Sequence, residues 1–317
     1  MKFKTKFFVR KSREEDDLGF GTKIVSEAGR LINKDGSYNI VRNGVRSFSP
    51  YQSLVEMPWT PFWLWVLVAY VSCNIFFALL FVAAGVEQIS GLAPQDFLHD
   101  FTYAFFFSVQ TFTTVGYGAM SPAGMGSQII AAVCALIGLV TFALMTGLFF
   151  AKFAKPKAQI LFSKNAIIAP FREGKAFMFR IANLRNNKII NLKARLIMTW
   201  VEENPKGKIR RYVPLSLDRD SVMMFPLNWT LVHPINEESP IFEKSLEDIR
   251  DSEVEFLVLV EGHDETYNQS VYTNGSYEHH EVLWGYSFLP MYHTDANGMT
   301  ILHLDRIDEV VKVEGTV

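Results

Sequence analysis

Thr113-Thr114-Val115-Gly116-Tyr117-Gly118 is the stretch on which the fold turns. It follows directly on a short apolar and aromatic segment, Phe97 to Phe112, and longer apolar runs flank the whole. Pro61 to Ala84 and Ile129 to Ala151 carry no charge, and each is long enough to cross the roughly 30 Å hydrocarbon core of a bilayer. Trp59, Trp63 and Trp65 cluster at the start of the first run, as expected at a membrane interface. The segment between the runs is too short to cross. It reads as a re-entrant helix, tolerated where protein or a water-filled cavity covers its ends. The sequence therefore predicts an α-helical two-span membrane domain at 59–157. Its parts are an outer helix at 61–84, a re-entrant pore helix at 98–112, the loop 114–118 and an inner helix at 129–151.

The charge pattern agrees. The formal net charge is only −2, yet no Lys or Arg occurs between Arg46 and Lys152. The N-terminal segment 1–45 is rich in both, and the loop between the spans holds only Glu87, Asp96, Asp100 and His99. That bias puts both termini in the cytoplasm, and the expected location is the plasma (inner) membrane. No cleavable apolar core follows the basic N-terminus, so it does not read as a signal peptide. Within 46–58, positions 48, 51, 54 and 55 fall on one side of a helix that Pro58 ends. Either an interfacial slide helix or an ordinary linker helix fits that stretch. Cys73 and Cys134 lie inside the apolar runs and read as small hydrophobes.

From Gln159 the pattern changes to short alternating or β-branched runs. Ala176–Ala182, Ala194–Trp200, Glu255–Val260 and Val282–Phe288 are the clearest, with breakers expected at Asn186-Asn187, Pro205-Lys-Gly207 and Asn274-Gly275. Residues 158–317 are thus expected to form an immunoglobulin-like β-sandwich, on the cytoplasmic side.

The hexapeptide carries the chemistry. A potassium ion must shed its hydration water to pass a narrow pore, and rings of backbone carbonyls replace that water in Thr-Val-Gly-Tyr-Gly loops. The carbonyls of Thr114, Val115, Gly116 and Tyr117, with the Thr114 hydroxyl, are the expected K⁺ ligands. Aiming successive carbonyls one way needs unusual backbone angles, which Gly116 and Gly118 reach without penalty. Tyr117 is expected to face Phe105, Phe106 and Phe107, and the helix before the loop to aim its negative C-terminal end at the ion path. One chain supplies a quarter of each ion site, so a homotetramer is required. K⁺ is the only expected cofactor; no organic cofactor and no nucleic-acid partner are expected.

Over almost its full length the chain then resembles the inward-rectifier potassium channel family, in its prokaryotic (bacterial) form. Ser108-Val-Gln-Thr-Phe-Thr-Thr-Val-Gly-Tyr-Gly118 is similar to the family's pore sequence, and Ala151-Lys-Phe-Ala-Lys-Pro156 to its inner-helix exit. Phe162-Ser-Lys-Asn-Ala-Ile167, Ala182-Asn-Leu-Arg185, Pro226-Leu-Asn-Trp-Thr-Leu-Val-His-Pro234 and Glu281-Val-Leu-Trp-Gly285 resemble landmarks of its cytoplasmic β-sandwich. Eukaryotic members pair a Glu behind the filter with an Arg after it; this chain has Gln110 and Met120 there. Losing both together is consistent, since a lone buried charge costs several kcal/mol. Gln110, Thr113 and Met120 are therefore expected to support the filter through hydrogen bonds and packing. The inner-helix acid of strong rectifiers is replaced by Phe142, and a second pore acid by Asn191. Weak inward rectification at most is expected.

The resemblance also implies a bulky gate at Phe150, with Phe149 beside it, and regulation by phosphoinositide or another anionic lipid. Gly138 and Gly147 read equally as bending points or as close-packing sites. Arg46, Lys152, Lys155 and Lys157 are candidate lipid contacts, or simply positive-inside anchors. His279-His280 reads as a solvated loop rather than a metal site. Two other classes stay in view: a β-sandwich that senses a soluble regulator, and an enzyme domain on a membrane anchor. The second lacks any nucleophile–base constellation or Gly-x-Ser-x-Gly, so no enzyme activity is expected. A non-selective cation pore is the remaining rival, and the complete pentapeptide argues against it.

Overall fold

The computed structural model describes residues 19–21, 30–44, 49–154, 159–204 and 207–313. The chain divides into two compact units, 44–155 and 1–43 with 156–317.

The first unit is helical. Helix α1 (Pro50–Glu56) has proline in its first turn, where a missing N–H costs nothing. Pro58 separates it from α2 (Trp59–Ala84). A short pairing of β1 (Ile89–Ser90) with β2 (Ser121–Pro122) brackets α3 (Phe97–Phe112), and α4 (Met125–Ala154) completes the unit. At about 1.5 Å per residue, α2 with 26 residues and α4 with 30 both exceed the hydrocarbon thickness. The outward side chains Leu64, Leu67, Phe76 and Leu79 of α2 and Leu136 and Leu144 of α4 are exposed in the chain. So much contiguous apolar surface suits lipid, not water.

Polar groups stitch these helices together where the core is driest. Phe81 of α2 meets Phe107 of α3 edge-on at 4.9 Å. At the next residue of α3, the Ser108 hydroxyl donates to Asn74 Oδ1 at 2.9 Å, both residues being fully buried. Asn74 satisfies its own amide on the Tyr70 carbonyl at 2.9 Å. At the other end of α2, Gly85 takes φ +100° and ends the helix. Gln88 then joins the two long helices: its Oε1 accepts N–H groups of Gly126 and Ser127 at 3.1 and 3.3 Å, and its carbonyl accepts the Ser127 hydroxyl at 2.7 Å. Those are donors that a helix start leaves without intrahelical partners.

The second unit is a β-sandwich. Its strands are β3 (Ile160–Phe162), β4 (Ala166–Phe171), β5 (Gly174–Asn183), β6 (Ile189–Asn204), β7 (Gly207–Leu215), β8 (Ser221–Met224) and β9 (Asn228–Ile235). After a short helix α5 (Leu246–Asp251) come β10 (Glu255–Asp264), β11 (Gln269–Glu278), β12 (Val282–Trp284), β13 (Tyr286–Phe288), β14 (Tyr292–Thr294), β15 (Thr300–Leu302) and β16 (Val310–Lys312). One sheet runs β11-β10-β6-β7 with β8 on β6; the other runs β12-β4-β5-β3 with β9 on β5. Alternate residues Phe177, Phe179 and Ile181 of β5 and Leu196, Met198, Phe256 and Val258 of the facing sheet fill the interior. Phe177 and Phe256 stack at 4.2 Å between ring centroids.

Two breakers behave differently from expectation. Asn274-Gly275 lies inside β11, paired with Leu259 and Val258 of β10. The glycine is there for packing: a Cβ on Gly275 would sit 3.0 Å from the ring of Phe162. The expected strand Val282–Phe288 is cut in two at Gly285, whose φ is +74°.

The segment 30–39 belongs to this unit. Leu31 and Ile32 are buried on Ile197, Tyr212 and Leu257. The Leu31 N–H donates to both carboxylate oxygens of Glu255 at 3.0 Å. Arg30 holds Glu281 at 2.8 Å and the Ser276 carbonyl at 2.9 Å. Burial pushes the Glu255 carboxyl up. Burial works the same way on Glu281, but hydrogen bonds from Lys34 and the Glu278 N–H and the charge of Arg30 hold it below the usual carboxylate range.

Candidate functional site

Helix α3 ends at Thr113, whose hydroxyl turns back to the Val109 carbonyl at 2.7 Å. From there the backbone alternates. Thr114, Gly116 and Gly118 have φ of +58°, +54° and +86°. Val115 and Tyr117 between them stay on the ordinary side. Such alternation turns successive peptide planes so that carbonyls leave on a common side. Glycine reaches positive φ freely; a β-branched threonine does not, and strain there is of order 1–3 kcal/mol.

One residue makes most of the hydrogen bonds that hold the strained loop. The Gln110 carbonyl accepts N–H groups of Val115 at 2.9 Å and Gly116 at 3.2 Å. Its side-chain Oε1 accepts the Tyr117 N–H at 3.3 Å. The Thr114 N–H reaches the Thr111 carbonyl at 3.1 Å. Gln110 itself is buried. A glutamine satisfies these donors without bringing an unpaired charge into the core. Met120 packs at the edge of the cluster containing Phe81, Phe107 and Phe112.

Within its own chain every residue from Thr113 to Ala119 is exposed, and Tyr117 is 84% exposed. Within one chain that ring is not enclosed by Phe105, Phe106 and Phe107. Phe107 is turned inward onto Phe81 instead. One glycine outside the motif also shapes the loop: a Cβ on Gly91 would lie 2.3 Å from the Ala119 carbonyl.

On α4 the two glycines part company. A Cβ on Gly138 would meet the Phe112 carbonyl oxygen at 2.0 Å, so this glycine lets α4 touch the end of α3. Around Gly147 nothing lies within 4 Å, and α4 runs through both positions as one helix. Phe142 and Phe150 are 74% and 77% exposed, on one face with Thr146. Phe149 points elsewhere, into Trp59, Phe62 and Trp63 at 5.1–6.5 Å between ring centroids. Asn191 is exposed on β6 at a positive φ of +51°.

Lys152 does not point freely outward. Its ammonium donates to the carbonyls of Leu54 at 3.4 Å and Val55 at 3.2 Å and to that of Met57, the C-terminal end of α1. It also lies 5.0 and 4.9 Å from the ring centroids of Trp59 and Phe62. Carbonyls at a helix end lack intrahelical donors, and a cation there answers both that need and the local dipole. Arg46, Lys155 and Lys157 lie outside the described residues.

Sequence reasoning missed Asn74, Gln88, Gly91 and the twist at Thr114. Asn74 alone left a signal, a polar amide in the middle of an otherwise apolar span.

Comparison with known proteins gives a consistent pattern. Residues 63–155 match a family model described as ion channel, and residues 160–317 one described as inward rectifier potassium channel C-terminal domain. The chain is 35% identical to the inward rectifier potassium channel Kirbac3.1 of Paramagnetospirillum magnetotacticum, over 92% of this chain and 99% of that one. It is 28% identical to the G protein-activated inward rectifier potassium channel 4 of Mus musculus, over 83% of this chain and 68% of the relative. Against the G protein-activated inward rectifier potassium channel 2 of Homo sapiens the identity is also 28%, over 83% and 67%.

Proposed function

The chain belongs to the inward rectifier potassium channel family, and on that premise we propose that four copies close a potassium-selective pore around residues 114–118. As a potassium channel subunit it carries K⁺ passively across a membrane. The observation that carries the assignment of the filter is the alternation of positive φ at Thr114, Gly116 and Gly118, together with the N–H groups of Val115, Gly116 and Tyr117 turned back to Gln110. With the donors facing the pore helix, the carbonyls of Thr114, Val115, Gly116 and Tyr117 face the axis. Four such strands stack rings of oxygens at the spacing K⁺ dehydration needs. The exposed Tyr117 ring is covered by the pore helix of a neighbouring subunit.

Below the filter, Phe142 and Phe150 line the axis, and Phe150 forms a hydrophobic ring that gates by dewetting. Phe149, packed against α2, holds the inner helix in place instead. Gly147 is the bending point and Gly138 the fixed point. Uncharged Phe142 and Asn191 place no acid at these two positions to concentrate Mg²⁺ or polyamines, so rectification is weak at most. Arg46, Lys155 and Lys157 recruit anionic lipid, with Lys152 fixing the interfacial helix between them. Both termini face the cytoplasm, and the β-sandwich acts on the gate from that side.

Recording from planar bilayers with K⁺ on one side and Na⁺ on the other tests the assignment. A reversal potential near that for K⁺ is expected. A reversal near zero voltage means a non-selective cation pore and overturns it.

A further inference from the structure

His293 and His303 stand ten positions apart, and the β14–β15 hairpin brings them together. His293 pairs with Ile301 in the ladder, while the His303 N–H donates to the Met291 carbonyl at 2.7 Å, one step further on. The two histidines are therefore diagonal neighbours across the ladder, a separation that aromatic side chains span. Their rings stack at 5.1 Å with 15° between planes, and His303 Nε2 lies 3.1 Å from His293 Nδ1.

The register that makes this pair is set by the turn rather than by the histidines. Asp295 Oδ1 accepts N–H groups of Asn297 at 2.9 Å and Met299 at 2.8 Å, and Gly298 takes φ +81°. The Asp295 N–H closes the loop on the Met299 carbonyl at 2.9 Å. Below it, Met291 is buried with Ala182 and Ile307, anchoring the base of the hairpin. The two imidazoles are thus delivered to one place by a braced backbone, with His293 open to solvent.

We infer that this hairpin binds a divalent transition-metal ion through His293 Nδ1 and His303 Nε2. Metal–imidazole bonds of about 2.0–2.1 Å put two neighbouring ligand nitrogens roughly 2.9–3.4 Å apart, from right-angled to tetrahedral geometry. The observed 3.1 Å falls inside that bite. Imidazole nitrogen selects Zn²⁺, Cu²⁺ or Ni²⁺ and not Mg²⁺ or Ca²⁺, which take oxygen. Binding needs both rings neutral, with their protons on His293 Nε2 and His303 Nδ1. The proton shared between the facing nitrogens moves to a far nitrogen through solvent as the metal enters. No third protein ligand from His, Cys, Asp or Glu adjoins the pair among the described residues, so water completes the shell. The bound ion clamps β14 to the residue that follows β15.

Equilibrium dialysis of the full-length protein in detergent against Zn²⁺ tests this, with excess Mg²⁺ present. One Zn²⁺ per chain is expected, lost in His293→Ala and in His303→Ala, and retained in His280→Ala. Both altered side chains lie outside the turn's hydrogen bonds, and unchanged rubidium flux in each variant shows the fold intact. No Zn²⁺ on the wild-type protein, or Zn²⁺ retained by both variants, overturns the site. So does loss of the ion in His280→Ala, which places it at the adjacent His279-His280 instead.

Discussion

Replacing Gly138 by alanine adds one methyl group at the contact between α4 and the last residue of the pore helix. That methyl would sit 2.0 Å from the Phe112 carbonyl oxygen, 2.8 Å from its carbon and 3.1 Å from its Cα. All three are backbone atoms, so no rotamer change relieves the clash; the helices must part by about 1.5 Å to reach an ordinary contact. Overpacking of this kind costs roughly 1–3 kcal/mol, and the rigid partner puts Gly138→Ala at the upper end. Alanine's better helix propensity returns about 1 kcal/mol. A net cost of about 2 kcal/mol remains, which is roughly 30-fold in the equilibrium between the seated and the displaced pore helix. Phe112 lies two residues from Gln110, so the displacement reaches the filter's own hydrogen bonds. Rubidium-tracer uptake into liposomes should fall in Gly138→Ala, by up to that factor. In Gly147→Ala nothing in the chain lies within 4 Å of the new methyl, and the fold should be retained or slightly stabilised. Full flux and unchanged thermal stability in Gly138→Ala would refute the reading of this glycine as a packing contact.

The remaining expectations concern other links. Gln110→Ala removes the acceptor for the Tyr117 N–H, a bond of about 0.5–1.5 kcal/mol, and should raise Na⁺ permeability relative to K⁺ in bi-ionic recordings; unchanged selectivity would show that the backbone bonds suffice. Asn74→Leu orphans the Ser108 hydroxyl, but pairs of this kind inside bilayers average only about 0.6 kcal/mol, so a small drop in thermal stability is expected and a collapse of the fold is not. Lys152→Met leaves the end of α1 without its donor, and a spin label at Tyr51 should become more mobile while the β-sandwich is unaffected. Burial holds His233 below its ordinary value of 6.5, in the neutral form that donates from Nδ1 to the Ser216 carbonyl and accepts the Ser239 hydroxyl at Nε2. A lowered folded value means the contribution is complete above pH 6.5 and lost as pH falls through the folded value. Amide exchange in β9 should therefore quicken below that pH in the wild type, and lose this dependence in His233→Asn.

The parts legible in the sequence were those where chemistry leaves little choice. A span must be apolar over its whole length, and the loop must place glycine where the backbone turns left-handed, so both were readable from Pro61–Ala84, Gly116 and Gly118. The alternating strands of the sandwich were readable for the same reason, from a period of two against a dry interior. What stayed hidden depends on partners far away in the chain. Thr114 has a residue type that argues against positive φ, and its N–H bond to the Thr111 carbonyl and the grip of Gln110 on the next three N–H groups keep it there. Asn74 meets Ser108 across 34 residues, and nothing in either segment announces the other. Gly138 and Gly147 look alike in sequence; only the arrival of Phe112 beside one of them separates their roles. Asn274-Gly275 carries the composition of a turn, yet the ring of Phe162 uses that glycine as a floor within a strand.

The most direct measurement is rubidium-tracer uptake into liposomes holding the purified full-length protein, with K⁺ or Na⁺ as competitor. Uptake suppressed by K⁺ but not by Na⁺, and abolished in Gly116→Ala, where a side chain must adopt φ +54°, is the expected result. Uptake suppressed equally by both ions, or undiminished in Gly116→Ala, would contradict a selective pore built from residues 114–118.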